Sequence, residues 1–557
     1  MRLYSLNFRR IVAIGTMIGA PLIAFSQNRN IGQAGVENPG KIHISTRLVQ
    51  IGVIVHNKDG PVAGLTKEDF TIFDRGKAQP ISVFSATTYG AAEWPAEPLP
   101  PNTFSDLPKY NPAAPGSITI VLLDNLNTLY GSAPGIFEDT PYWMEDHALT
   151  SAKAHLLEYL QRLGPHDRVA LYGLTDKLHV LCDFTTDRER LLSIVQRYDS
   201  TSRTSREVAE PGRTRLPQQV KGLEPPPIDS ANLELAEAAN SVRAGTTMAA
   251  LKSIADHLAN IPGRKNLVWL TANVPVSGEA IAALLGSSQI AVYPVDSRGL
   301  LPRSSAIGAG GIDAAQPGLA SQVADAFDQP AASEEPAGLD AMQRAADLTG
   351  GRAFINGNDL TGAIRDAVTD AAVLYSVGFY IDARSADGKF HELKVTVARS
   401  GVTLRYPRAY FAAKDAPSSA SEIHNSLVTA LRSPIQSSEI PLQAKIERVD
   451  AAKPNALKIR GVIDTTALHL IDNGKMHEGA LDVTIVEQDA SGKILSQSGN
   501  HLKLSLPPEQ YAALLVKGIS FEKHLEASAE SATLRIMVQE QATARVGSLI
   551  VPLEEIK

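Results

Sequence analysis

The sequence predicts a doubly wound α/β domain with a β-rich unit before it and an immunoglobulin-like β-sandwich after it. Three observations predict this. Between 117 and 372, continuous apolar runs of strand length alternate with stretches of helical periodicity, the pattern of βαβ units around a mostly parallel sheet. Ahead of that region, apolar and polar residues alternate around two Gly turns. Behind it, from about 440, seven strand candidates follow one another with a single short helical interruption.

Residues 1–26 read as a secretory signal peptide. Arg2, Arg9 and Arg10 precede an apolar stretch from Ile11 to Phe25, and small residues stand at Ala24 and Ser26. The stretch is short of the ~20 apolar residues that a span requires. The mature chain is therefore expected to have no membrane span and to be exported, to the periplasm or outside the cell. The N-terminal β unit covers 27–92. After a polar, Gly-rich start, "IHISTRLVQIGVIVHNKDGPVAGL" and "FTIFDRGKAQPISVFSATT" give antiparallel strands with turns at Asp59-Gly60 and Arg75-Gly76. The Pro-rich stretch 93–116 reads as a linker or surface strap.

Within 117–372 the buried strand candidates are Ile118–Leu123, "RVALYGL", "LHVLCDF", "KNLVWLTA" and "IAVYPVD". Leu149, Ala152, Leu156, Leu160 and Leu163 mark a helix ended by Gly164. Thr186 and Glu189 have the spacing of a capping box that opens a second helix. Further helices are expected at 232–260, 338–349 and 359–372, with loop insertions at 200–230 and 299–336. In "IPGRKNLVWL", Gly263 is expected to end a helix, with Arg264-Lys265 leading into a strand rather than binding an anion. Residues 373–413 form a β meander expected to pack on or pair with the N-terminal unit. Residues 414–438 read as a linker and 439–557 as the sandwich.

At 557 residues the chain has room for roughly three or four domains. With 44% hydrophobic and 20% charged residues it has an ordinary globular composition. A net charge of −7 and the lack of a basic stripe argue against nucleic acid as a partner. The one cysteine, Cys182, lies in an apolar strand-like run and reads as a buried small hydrophobe. An exported chain without a disulfide framework must rely on large cores. No G-x-S-x-G elbow, H-E-x-x-H helix or phosphate-binding loop occurs. In "DNLNT" (124–128), Leu126 stands where a phosphoryl-transfer enzyme would carry its second Asp. The chain is therefore expected not to be an enzyme.

The strings "VHNKDGPVAGLTKEDFTIFDRGKAQPISVFS", "VLLDNLNT", "DFTTDRERLL", "IPGRKNLVWL", "AVYPVDSRGL", "LTGGRAF" and "GKFHELKVTVARSGVTLRYPRAYF" occur in that order. Over about 45–413 the chain thereby closely resembles the VWFA-related proteins of Acidobacteria, exported proteins built around a von Willebrand factor type A domain. The resemblance implies a Rossmann-like A domain used for protein–protein interaction or adhesion. The partner would be an unidentified protein or extracellular ligand.

The first strand of an open α/β sheet delivers its carboxyl end to the ligand edge, which places Asp124 there. The resemblance implies a cation such as Mg²⁺ at that edge, held by an Asp-x-Ser-x-Ser pattern, a Thr from a second loop and an Asp from a third. A hard cation wants oxygen ligands and keeps some waters. Asp124 and Thr128 match the pattern, and Asn127 offers a carbonyl oxygen one position off. Thr246 or Thr247 of "RAGTTMAAL" would supply the Thr. Leu126 replaces a Ser, and Ala272, with Asn273 beside it, replaces the second Asp. Two readings follow: a divalent-metal site on Asp124, Thr128 and Thr247, or a degenerate site that binds a partner without metal. Asp124 as a helix or turn cap accompanies either. A structural component of an envelope assembly and an unrecognised hydrolase are the competing functions.

Overall fold

The computed structural model describes residues 46–88, 98–107, 110, 118–127, 153–164, 167–198, 230–261, 263–297, 337–355, 360–369, 373–382, 385–414, 417–450 and 453–556. Its central sheet orders five strands as Ile290–Asp296, Lys265–Thr271, Ile118–Asp124, Arg168–Leu174 and Leu178–Thr185. The first four run parallel and Leu178–Thr185 is an antiparallel edge. Phe354 adds a parallel bridge beyond Val295. Numbered along the chain, the order is that of a doubly wound α/β fold, with its switch point between Ile118–Asp124 and Lys265–Thr271.

Every residue of Ile118–Asp124, Lys265–Thr271 and Ile290–Asp296 is buried. Helices cover both faces, which is why these strands read as unbroken apolar runs. Side chains alternate between two cores. Ile120, Leu122 and Trp269 face Leu251 and Ile254 of helix Ser230–Leu258 and Ile281 of helix Gly278–Gly286. Val121, Leu123 and Leu270 face Leu156 of helix 153–161, Leu191 of helix Arg188–Arg197 and Ile364 of helix Leu360–Thr369. Cys182 is buried in the second core. Arg264 and Lys265 also serve the structure. Arg264 donates to the Tyr293 hydroxyl, and Lys265 Nζ donates to the Ile261 carbonyl at 2.7 Å.

The chain on either side of this domain forms one small β unit. Thr46–Asn57 pairs antiparallel with Val373–Asp382, setting Val53 opposite Tyr375. A second sheet joins Phe70–Asp74 to Phe390–Val397. Between them lie Ile51, Val53, Phe70, Ile72, Tyr375 and Phe379. The C-terminal region is a two-sheet sandwich over one core that includes Ile446, Ile459, Ile485 and Ile536. One sheet is Ile519–Glu526, Lys453–Ile463, Leu442–Asp450 and Thr103–Ser105. The other joins Ile494–Leu506, His477–Gln488, Thr533–Glu540 and Val546–Pro552, with Ile471–Asp472 also on His477–Gln488.

Four local expectations are corrected. The helix at 188 is capped by Asp187, whose carboxylate accepts from Arg190 N, and not by Thr186. A carboxylate one residue later reaches the same free N–H groups. "RAGTTMAAL" is no loop but the middle of helix Ser230–Leu258. Its Gly245 weakens the helix by no more than about 1 kcal/mol, less than the apolar face of Ala250, Leu251 and Ile254 gains on burial. The Pro-rich 93–116 is not simply a linker. Thr103–Ser105 pairs with Leu442–Asp450, because Thr103 and Phe104 bring a β-branched and an aromatic residue to an open sheet edge.

Finally, 414–438 contains helix Ala420–Arg432, opened by a Ser419–Glu422 capping box. It packs Ala430 against Val486, Met537 and Val546. Arg535 fastens its end, with Nη1 donating to the Ala430 carbonyl at 2.6 Å and Nη2 to the Ser433 carbonyl at 2.8 Å. Burial pulls that guanidinium down to about 10, so it stays charged at neutral pH. Replacing Arg535 with Met should destabilise the sandwich by about 2 kcal/mol through the lost charged hydrogen bonds. Amide exchange should accelerate along 420–432 first; unchanged exchange there would show that Arg535 does not hold the helix.

Candidate functional site

Asp124 ends the first strand beside the switch point. The next residues turn at once, since Asn125 N and Leu126 N both donate to the Leu174 carbonyl, at 2.9 and 3.1 Å. That turn sends Leu126 into the core beneath, where it is fully buried. It brings Asn127 back over Asp124. Asp124 Oδ1 accepts from Asn127 N at 3.0 Å. Its Oδ2 accepts from Asn127 Nδ2 and from Trp269 Nε1, both at 2.8 Å. Asn127 Nδ2 also donates to Thr247 Oγ1 at 3.0 Å, tying the turn to helix Ser230–Leu258. Asn125 donates to the Tyr198 hydroxyl at 2.9 Å.

Asp124 stands at the carboxyl end of its strand by the switch point, and there it is 0% exposed. Burial pushes its carboxyl up to about 6, against the pull of the Asn127 and Trp269 hydrogen bonds. The structure thus brings together Asp124, Asn127 and Thr247 of the expected set. Thr246 is half-buried on the same helix, and Thr128 lies outside the described residues. Asn273 belongs to a different place. Its backbone N–H and carbonyl close a turn on the Thr271 hydroxyl, and the residue lines a separate cavity.

The donor set fits a hard cation poorly. Three N–H groups take the Asp124 oxygens, and Leu126 and Ala272 present carbon where oxygen is required. An Asn amide nitrogen sits between the carboxylate and the Thr hydroxyl. Among the described residues no group of three or more His, Cys, Asp or Glu is placed to hold a metal ion.

Two residues escaped the sequence reading. Trp269 pairs in register with Leu122, two residues before Asp124, so a tryptophan near the carboxyl end of the neighbouring strand was the available signal. Arg243 is buried one helical turn before Thr247 on the same helix, an i, i+4 spacing visible in the sequence. Burial lowers the Arg243 pKa, and the nearby Asp124 charge offsets part of that. The cavity is about 410 Å³, within the range of ligand pockets. It lies between helix Ser230–Leu258, the turn after Lys265–Thr271, and the first turns of helices Gly278–Gly286 and Ala337–Thr349. Asn240, Asn273, Ser277, Glu279, Asp340 and Arg344 supply its polar wall.

No protein-family model and no curated protein matches the chain. It is similar to an aerotolerance-related membrane protein from Bacteroides fragilis, at 14% identity and TM-score 0.23, covering 45% of this chain and 98% of that one. It is also similar to the conserved hypothetical protein BatB from Bacteroides thetaiotaomicron, at 13% identity and TM-score 0.22, covering 46% and 99%. A third similar structure is the SpRpn10 VWA domain, at 11% identity and TM-score 0.20, covering 45% and 96%. At these TM-scores the likenesses carry no argument, and the assignment as a doubly wound α/β domain rests on the chain's own strand order and direction.

Proposed function

We propose that the chain is an exported, non-enzymatic binding protein built on a von Willebrand factor A-like domain, which holds a protein or extracellular ligand without a metal ion. The observation that supports it is the Asp124 network. The strand order leaves a ligand edge at the switch point, and the carboxylate at that edge is already bonded to Asn127 and Trp269. The motif resemblance over 45–413 supports the A-domain reading and export, and the arginine-led apolar N-terminus supports a cleaved signal. No described helix is long and apolar enough to cross a membrane.

The C-terminal sandwich is read as immunoglobulin-like. Its first, second and fifth long strands share one sheet, while the third, fourth, sixth and seventh share the other. Capture of partners from the native host, with and without a chelator, tests the binding role. The expected result is a partner retained equally in both. Calorimetry with millimolar Mg²⁺ or Mn²⁺ should give no binding heat. Heat that disappears in Asp124→Ala would establish a metal site instead.

A further inference from the structure

The two sheets of the C-terminal sandwich have four edge strands, and three of them are guarded. An edge strand offers free N–H and C=O groups to any other strand. Natural sheets block this with short strands, prolines, charges or a covering segment. Thr103–Ser105 is only three residues long. Val546–Pro552 ends in a proline and is bridged at Gly547 by Ser438. Ile519–Glu526 carries Glu522, Lys523, His524 and Glu526.

Ile494–Leu506 has none of these guards. It is 13 residues long, contains no Pro, Asp or Glu, and has a single lysine, Lys503. Strand His477–Gln488 pairs with one of its edges, from His477 opposite Leu506 to Glu487 opposite Ser496. Among the described residues no strand pairs with the other edge. One face of the strand follows the core: Leu502 and Asn500 stand opposite Leu481 and Val483, and Leu502 and Leu504 pack on the core while only half-buried. The other face carries Gln497, Gly499, His501 and Lys503, all exposed. His501 Nδ1 lies 2.6 Å from Asp482 Oδ1, which holds the ring in place. Beside it Gly499 leaves the backbone bare.

We propose that this strand is a dimerisation edge: a second copy of the chain lays its own Ile494–Leu506 antiparallel against it, across a two-fold axis at Asn500, so that two sheets become one. Asn500 is the midpoint of the strand. Both copies keep their cores on the same side, which sets residues of like face opposite each other. With the axis at Asn500, Ser498 faces Leu502, Gly499 faces His501 and Gln497 faces Lys503 of the second copy, each twice. No like charges meet, the imidazole covers the bare glycine backbone, and Leu502 and Leu504 carry the core across the seam. An axis at His501 or Leu502 would instead set His501 against itself or against Lys503. Such an isologous contact closes at two copies and leaves neither edge open. The inference concerns the sandwich and stands apart from the partner reading of the α/β domain.

Sedimentation velocity of the full chain over a concentration series should show a monomer–dimer equilibrium. Gln497→Glu places a carboxylate opposite Lys503 of the second copy at two symmetric points and should tighten the dimer roughly three- to thirtyfold. Gln497→Lys should loosen it by a similar factor. Gln497 is exposed, so neither variant should disturb the fold of the monomer. Oxidation of Asn500→Cys should lock the dimer, because position 500 meets its own counterpart with Cα atoms about 4.5–5.5 Å apart, within disulfide reach. Ser505→Cys, about 30 Å from its counterpart in this register, should not cross-link; the native Cys182 is buried. If Asn500→Cys fails to fold, the two Gln497 variants carry the test. A monomer at every concentration, a dimer moved the same way by both Gln497 variants or by neither, or equal cross-linking at 500 and 505 would each overturn the proposal.

Discussion

Asp106→Asn is expected to stabilise the protein at pH 7 by about 4 kcal/mol and to change little at pH 3. Asp106 is 5% exposed and fastens the segment before the α/β domain onto the sandwich. Its Oδ1 accepts from Leu442 N at 2.6 Å, its own N–H donates back to the Leu442 carbonyl at 3.2 Å, and Oδ2 is buried without a partner. Burial pushes the carboxyl up to about 8; the Leu442 bond opposes this and the nearby Asp464 charge adds to it. An unfolded Asp titrates near 3.9. Between about pH 4 and 8 the folded state therefore holds a proton that the unfolded state releases. Stability falls across that window as pH rises, by up to about 1.4 kcal/mol per pH unit. Asn keeps the acceptor for Leu442 and needs no proton, so it removes that loss. Urea unfolding at several pH values measures it. A gain of the same size at pH 3 and pH 7 would show that the carboxyl does not titrate as argued.

The α/β domain was legible because its strands are buried on both faces, and such strands announce themselves as unbroken apolar runs. Ile118–Asp124 and Ile290–Asp296 needed no tertiary information. Thr103–Ser105 did need it. Three residues carry little pattern of their own, and the strand exists because Leu442–Asp450, more than 330 positions later, offers it an edge. Helix Ala420–Arg432 was hidden differently. Its capping box and amphipathic spacing are present, but Ser-rich flanks on both sides made it read as linker.

At the site, one-dimensional matching singled out Asp124 and Thr247, which the structure links through Asn127, but not their setting. It counted oxygen atoms at motif positions. It had no means of seeing that the Asn127 amide folds back onto the carboxylate, or that Trp269 on the next strand points its N–H at the same oxygen. Both depend on cross-strand register and on the turn at Leu126. The burial of Asp124, and with it the raised pKa, is likewise a property of the assembled layers and not of the motif.

Trp269→Phe is expected to destabilise the protein by about 3–4 kcal/mol, and Asn127→Ala by about 2 kcal/mol. The tryptophan is fully buried, so its loss leaves a void as well as a missing hydrogen bond to a charged group. Both N–H groups end on Asp124 Oδ2, so the double variant should depart from additivity. The pH dependence has a definite sign. Folded Asp124 titrates at about 6, above its unfolded value, so this group's contribution to stability falls as pH rises from about 4 to 6 and is level beyond. Removing a donor makes the ionised form less stable still. The midpoint moves above about 6 and the fall continues to higher pH, so the variants' deficit should be larger at pH 8 than at pH 4. Trp269 can report this directly. With Trp94 and Trp143 replaced by Phe, its emission should titrate with a midpoint near 6, moving upward in Asn127→Ala. A midpoint in the ordinary carboxylate range, unmoved by that change, would mean the network does not govern Asp124. If the midpoint does move, the Asn127 donors set the protonation of Asp124, and the end of the strand answers to pH.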